Sequence, residues 1–396
     1  MPHPRHSILL AHLKDRLHQS PQQRLTFAEF MELVLYGPEA GYYTAQSAGV
    51  GPQGDFVTSP HLCRDFGELL AVQLVELWHH LGQPDPFTLV EMGAGQGIMA
   101  ADGLAYLETE AADCFQTVDY RIIEASPALR QIQRHRLEPW ADRVRWCDLA
   151  ELAAESVTGC FLSNELVDAL PVHQVIWTEA GLQEIYVTLA AEGDGLREVI
   201  GPLSTPRLAA YFDDLGVNWA AGYPVGYRTE AHLATLDWMA AVARVLHRGY
   251  LLTIDYGYPA DRYYHPHRTQ GTLQCYYQHC HHNDPYRYLG HQDITAHVNF
   301  TALERQGERC GLMPLGLTQQ AMFLMALGLG DRLAALAQVD ATDAATVNHT
   351  LQRRDQLHQL MNPLGLGNFW VLLQGKHLSS SELAQPLRGF TIPPLA

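Results

Sequence analysis

The spacing of apolar and polar residues changes period repeatedly along this chain, and the changes outline a fold. Compact apolar runs at 87–93 (FTLVEMG), 120–126 (YRIIEAS), 144–148 (VRWCD), 160–166 (CFLSNEL) and 249–258 (GYLLTIDYGY) read as strands covered on both faces. Between them, 97–112, 127–138 and 229–247 carry apolar residues at helical spacing. Strand and helix in alternation predict an α/β fold with a parallel sheet and right-handed crossovers.

Two helical stretches, 7–19 and 26–36, precede this alternation. Thr26 with Glu29 three residues later is a capping-box pair. The Gly- and Tyr-rich loop GPEAGYYTAQSAGVGPQGDFVTSP (37–60) follows, and its length makes it a candidate lid or binding loop. Residues 62–81 return to helical spacing. At 171–226 the alternation breaks: HQVIWTEAGLQEIYVTLA predicts a β-hairpin turning at Glu179–Gly181. Residues 259–300 are rich in aromatics and His and have little period. A strand at 313–319, helices near 320–360 and a last apolar strand at 369–377 complete the pattern. The expected division is an N-terminal helical and loop region (1–84), the first part of a core (85–170), an inserted β-rich region (171–228), the core continued (229–258), an accessory or substrate region (259–312), and C-terminal core strands and helices (313–396).

Composition narrows the class of protein. A chain of 396 residues, 47% apolar and 17% charged, can bury a large core. Its formal net charge of −17 opposes non-specific binding to nucleic acid, so no nucleic-acid partner is expected. The seven cysteines form no CxxC pair, which argues for a reducing compartment, and a cytoplasmic protein is expected. No apolar run approaches the roughly 18 residues of a membrane helix, so no membrane insertion is expected. The N-terminal MPHPRHSILLAHLKDRLHQSP lacks a signal-peptide core and, with Asp15 inside it, reads as an ordinary helix.

The strongest chemical signal is Leu89-Val90-Glu91-Met92-Gly93-Ala94-Gly95-Gln96-Gly97. A buried strand runs into a G-x-G-x-G turn and then a helix. The glycines allow a sharp turn and close approach of a ligand, and the helix start presents free N–H groups. This is neither the G-x-G-x-x-G dinucleotide fingerprint nor a phosphate loop, since no Lys-Ser/Thr follows. Gly93, Ala94, Gly95 and Gly97 are therefore candidate cofactor contacts. The next strand ends in Glu124-Ala125, where an acid can accept both hydroxyls of a ribose. The third ends in Cys147-Asp148. Asp148 suits an adenine amino group, and it suits equally the N-cap of a helix at LAELAAE.

With LYGPEAGYYT (35–44), GDFVTSP (54–60), FGELLAVQL (66–74), SNELVDALPVHQ (163–174), TIDYGY (253–258), GTLQCYYQHCHHNDPYRYLGHQDITAHVNFTAL (271–303) and TQQAMFLMALGL (318–329), the glycine motif resembles the MidA-like family of methyltransferases. The resemblance covers almost the whole chain. It implies a Rossmann-like class I methyltransferase core, a smaller accessory domain, and S-adenosyl-L-methionine as cofactor. Glu91 would then place the amino-acid end of the cofactor, and the GDFVTSP loop would fold over it, bringing Asp55, Thr58, Ser59 and Pro60. The family includes a mitochondrial protein-arginine methyltransferase that makes symmetric dimethylarginine on a complex I core subunit. The resemblance thus implies protein arginine methylation, complex I assembly and a respiratory-subunit substrate. A dimer is compatible with it. Two departures stand out. EMGAGQG replaces the ELGPGRG of many relatives and keeps the acid and the glycines. SPHLC replaces SPEIS, which puts in doubt any role resting on that acid.

Arginine methylation requires a guanidinium held by carboxylates near the methyl donor. Glu165, Asp168 and Asp255 are the candidate catalytic acids, because they follow the fourth and fifth strands, whose carboxyl ends bind ligands in such sheets. Asn164 and Glu165 are also candidate cofactor contacts, and Glu68 is a further carboxylate beside the loop. A plainer role for Asn164 and Glu165 is to start the following helix. His279-Cys280-His281-His282 lacks metal-ligand spacing, so no metal is expected. Tyr42, Tyr43, Tyr263, Tyr264, Tyr276 and Tyr277 either line a substrate groove or pack beneath loops. The alternatives to protein arginine methylation are a small-molecule or other protein-residue methyltransferase, and a non-catalytic assembly factor that keeps its cofactor site.

Overall fold

The computed structural model describes residues 4–45, 58–191, 195–339 and 343–391. Phe87–Met92 (β1), Val118–Ile123 (β2), Val144–Trp146 (β3), Val157–Asn164 (β4), Leu246–Asp255 (β5), Met313–Gln319 (β6) and Trp370–Lys376 (β7) form one sheet. Its order is β6-β7-β5-β4-β1-β2-β3. Strands β1 to β5 are mutually parallel, while β7 runs antiparallel to both of its neighbours.

Both faces of this sheet are covered, which is why its strands read as continuous apolar runs. Phe87 and Leu89 of β1 join one core with Phe66, Leu74 and Leu104, whereas Val90 and Met92 join the opposite core with Met239, Val242 and Leu303. The same two-residue alternation recurs in β5 and β7. Helices Asp65–His80 and Ile98–Glu110 cover the first face, and Leu233–Val245 and Phe300–Arg309 the second.

The predicted hairpin forms, with His173–Thr178 antiparallel to Gly181–Leu189 and Thr178 opposite Gly181. Its sheet is not confined to the insertion. Leu25–Thr26 pairs along one edge and Arg228–Ala231 along the other. The expected helix at 229–247 therefore starts later, at Leu233. Pairing with the hairpin overrides the helical pattern, and buried Glu230 accepts the backbone N–H groups of Thr272 and Leu273. Thr26 and Glu29 form both bonds of the expected capping box.

A three-stranded sheet of Gln274–Tyr277, Cys280–His282 and Asp293–Thr295 packs with the N-terminal helices through Leu9, Leu13, Phe30, Cys275 and Ile294. This layer is tied to the tips of β4 and β5. The N–H of Ala296 donates to the Asp168 carbonyl, that of Val298 to the Tyr256 carbonyl, and the Tyr36 hydroxyl to the Ala169 carbonyl. It therefore walls the carboxyl ends of the strands. Among the described residues, no single helix is long and apolar enough to cross a membrane. All seven cysteines are free.

Candidate active site

The chain leaves β1 toward β2 on one side and returns through β4 on the other, so a crevice opens between β1 and β4 at their carboxyl ends. A cavity of about 230 Å³ occupies it. The turn after β1 supplies its floor: Gly93, Gly95 and Gly97 have φ of 69°, 54° and 74°. A Cβ built on Gly95 would meet no atom within 4 Å, so the space above this turn is free for a ligand. Ile98 and Met99, the first residues of the helix Ile98–Glu110, also line the cavity.

Two acids stand at the strand tips. Glu91 is buried and accepts a hydrogen bond from the Tyr120 hydroxyl at 2.7 Å; burial lifts its carboxyl to about 7. Glu124 accepts from the Ser126 backbone N–H at 2.9 Å and from Gln133 Nε2 at 3.2 Å, and burial raises it as well. Gln133 Nε2 also donates to the Gly95 carbonyl at 2.7 Å, while its Oε1 accepts from the Trp146 indole at 2.8 Å. One buried amide thus fixes the glycine turn to the acid at the tip of β2.

Glu165 follows β4 in a left-handed conformation, φ 51°, uncommon for a residue with a side chain. Its Oε1 accepts from the Ser59 backbone N–H at 3.3 Å and from Asn164 Nδ2 at 3.2 Å. Burial, then repulsion from Asp168, lifts its carboxyl to about 8. Glu165, Asn164, Thr58, Pro60, Ala94 and Ala125 all line the cavity with Gly93, Gly95, Glu91 and Glu124. The Asn164 Oδ1 is buried without a hydrogen-bond partner, as expected of a group that awaits a ligand.

Other expected site residues lie elsewhere. Asp255 Oδ2 accepts the backbone N–H groups of Val167 and Asp168, and Oδ1 accepts that of Tyr256. Asp168 accepts the Tyr256 hydroxyl. Neither Asp168 nor Asp255 lines the cavity, because both carboxylates are used to hold the turn after β4. Cys147 and Asp148 also lie outside its lining. Asp148 caps the short turn Leu149–Glu151 and pairs with Arg130, the capping role among its two alternatives. Gly97 stands behind the turn, where a Cβ would meet the Gln133 side chain. Ser59 is buried, its hydroxyl on Gln320. Glu68 is drawn off by Arg332 and Arg64. Asp55 lies outside the described residues.

The cavity also takes Tyr36, Tyr43 and His61, to which the sequence assigned no contact with the cofactor. Tyr36 and Tyr43 stack at 5.4 Å between centroids, and the Tyr43 hydroxyl bonds both oxygens of Asp293 at 2.9 Å. Of the groove and packing alternatives for Tyr43, the structure takes the groove; Tyr36 lies in the LYGPEAGYYT segment and His61 replaces the acid of SPEIS, signals that named no role for either side chain. Tyr42, Tyr263 and Tyr264 are buried in the cores. His279–His282 form a largely exposed hairpin. Among the described residues, the group able to gather around a metal ion is exposed Glu155, His247 and His377, at the opposite ends of β4, β5 and β7 from the cavity.

These residues fit S-adenosylmethionine. The space over Gly95 is open, the acids suit an ammonium and a ribose diol, Met92, Ile123, Leu129 and Leu166 give apolar walls, and an unpartnered amide oxygen remains.

Comparison with known proteins agrees. The protein arginine methyltransferase NDUFAF7 of Rattus norvegicus mitochondria is 30% identical, over 89% of this chain and 82% of its own length. Its Homo sapiens counterpart is 28% identical, over 92% and 83%. A Burkholderia thailandensis protein crystallised with S-adenosyl-homocysteine superposes with a TM-score of 0.85 at 32% identity, over 99% of this chain and 97% of that one. Both curated relatives are mitochondrial by name, which overturns the cytoplasmic expectation: scattered cysteines report a reducing milieu but not which compartment provides it. Residues 69–318 match the family of S-adenosyl-L-methionine-dependent methyltransferases, and with the motif, the cavity and these relatives they establish that the chain belongs to it.

Proposed function

We propose that this methyltransferase acts on an arginine side chain of a protein, and that a subunit of a respiratory complex I-type enzyme is the first acceptor to test. The observation that carries this reading is Glu165, a carboxylate at the end of β4 inside the cavity that also holds the glycine turn. Tyr36 and Tyr43 line the same cavity with their hydroxyls already committed, so their rings remain for a cation. Bound S-adenosylmethionine supplies the electrophilic methyl group. The chain's part is to fix the acceptor nitrogen in line with that methyl and to exclude water. An approaching guanidinium favours the ionised form of Glu165, and the resulting charge-assisted pair orients the planar group. The names of the curated relatives support the arginine assignment.

The test is methyl-transfer labelling of a lysate from a deletion strain, followed by mass spectrometry. Labelled arginine in a protein is the expected result. Label in a small molecule or another residue type would overturn the arginine assignment. No label at all, from protein that binds the cofactor, would indicate an assembly factor.

A further inference from the structure

We propose that His61 holds the carboxylate at the amino-acid end of S-adenosylmethionine through a hydrogen bond donated by its Nε2. The inference rests on the cofactor assignment above and extends it to His61, which stands where many relatives carry the acid of SPEIS.

The ring is half-buried and lines the cavity. Its Nδ1 lies 2.7 Å from the Thr58 hydroxyl. That hydroxyl donates no other hydrogen bond among the described residues, so giving its proton to Nδ1 satisfies both groups. The ring's own proton then sits on Nε2. Nε2 is buried and has no hydrogen-bond partner. A buried N–H left unpaired is costly, and a ligand oxygen placed against it removes the cost.

The surroundings select an anionic oxygen. The turn Ser59–Leu62, which carries His61, packs on the helix Ile98–Glu110, whose first residues line the cavity. The amino end of a helix of this length presents free N–H groups and a positive dipole end. The Arg136 guanidinium adds positive potential here: after burial, it is the second influence holding His61 below its usual pKa, and so neutral. Glu91, Glu124 and Glu165 line the same cavity and suit an ammonium, hydroxyl groups and a guanidinium. Once ionised to meet those groups, none of them can receive a carboxylate. His61 with the helix start can.

The experiment is calorimetry with S-adenosylhomocysteine and with its decarboxylated analogue, on the wild-type chain, His61→Ala and His61→Gln. The expected result is that His61→Ala weakens S-adenosylhomocysteine about tenfold and leaves the decarboxylated analogue unchanged, the signature of a lost hydrogen bond to a charged group. His61→Gln, which restores an N–H donor, should regain most of the loss. Equal losses for both ligands would make His61 a packing residue, and no loss for either would free it of any role; both overturn the inference. If His61→Ala does not fold, His61→Gln still decides: near-wild-type binding of S-adenosylhomocysteine is expected, and a loss shared equally by the two ligands overturns it. Wild-type protein that bound neither ligand would instead overturn the cofactor assignment, and this inference with it.

Discussion

The backbone N–H of Ser59 donates to the carboxylate of Glu165 at 3.3 Å across a separation of 106 residues. The segment that ends the long N-terminal loop is thereby joined to the acid at the tip of β4. Asn164 adds a second donor to the same oxygen, and Asp255 holds the following turn through the N–H groups of Val167 and Asp168. Glu165 is therefore positioned from both sides before any acceptor arrives.

Glu165→Gln should separate acceptor binding from cofactor binding. The amide keeps the shape and still accepts from Ser59, but it loses the charge that pairs with a guanidinium. Turnover of the arginine substrate is expected to fall by at least about tenfold, roughly 1.4 kcal/mol of transition-state binding. The dissociation constant of S-adenosylhomocysteine should not change. Loss of both would place Glu165 against the cofactor instead.

Raised carboxyls in and beside the cavity make stability depend on pH. Glu165 is lifted to about 8, Glu91 to about 7 and Asp168 to about 6, mainly by burial. The folded state then keeps protons that the unfolded chain releases, so the contribution of these groups is complete below the ordinary carboxylate range and is lost as pH rises through the folded values. Buried His232 and His297, held at about 3 and about 4, act in the opposite sense up to the ordinary histidine range, so the Tm of the ligand-free protein should fall between about pH 7 and pH 8. Glu165→Gln cannot ionise and should flatten the upper part of that fall. A Tm that rises over this range would contradict the buried, uncharged state of these acids.

Gln133 should affect the cofactor without touching it. Gln133→Leu would leave the Gly95 carbonyl, Glu124 and the Trp146 indole each short of a partner. Unfolding free energy is expected to drop by about 1–3 kcal/mol, the usual cost of unpaired buried groups. Cofactor affinity should weaken with it, because the glycine turn is no longer fixed to the tip of β2. Glu124→Ala should weaken the cofactor by roughly 1.5–3 kcal/mol if that acid bonds the ribose. Calorimetry and denaturant melts on both variants check these outcomes, and an unchanged affinity in Glu124→Ala would move the ribose elsewhere.

Gly95→Val tests the floor of the cavity. Nothing within 4 Å would meet its Cβ, which points into the ligand's space and not into the core. A β-branched residue at φ 54° adds backbone strain of roughly 1–2 kcal/mol. Cofactor binding should vanish while the far-ultraviolet circular dichroism stays native. Normal binding would remove this turn from the site.

Local chemistry made much of this protein legible in its sequence. The glycine turn is written in residue types, because its positive φ values exclude most side chains. The core strands are written in apolar runs, because both faces of the sheet are covered. The Thr26–Glu29 box and the hairpin at Glu179–Gly181 depend on neighbours a few residues apart. The sequence favours Glu165 over Asp168 and Asp255 by its place at the end of the fourth strand, but nothing local in the chain says where the other two carboxylates go. Tertiary packing turned Asp168 toward the Tyr256 hydroxyl and Asp255 toward backbone N–H groups, and left Glu165 in the cavity. It also drew residues 229–231 out of the expected helix into the edge strand Arg228–Ala231, and it carried Tyr43 across 250 residues to Asp293. Such choices depend on which surfaces meet when separate layers dock, and no short-range period in the chain encodes that.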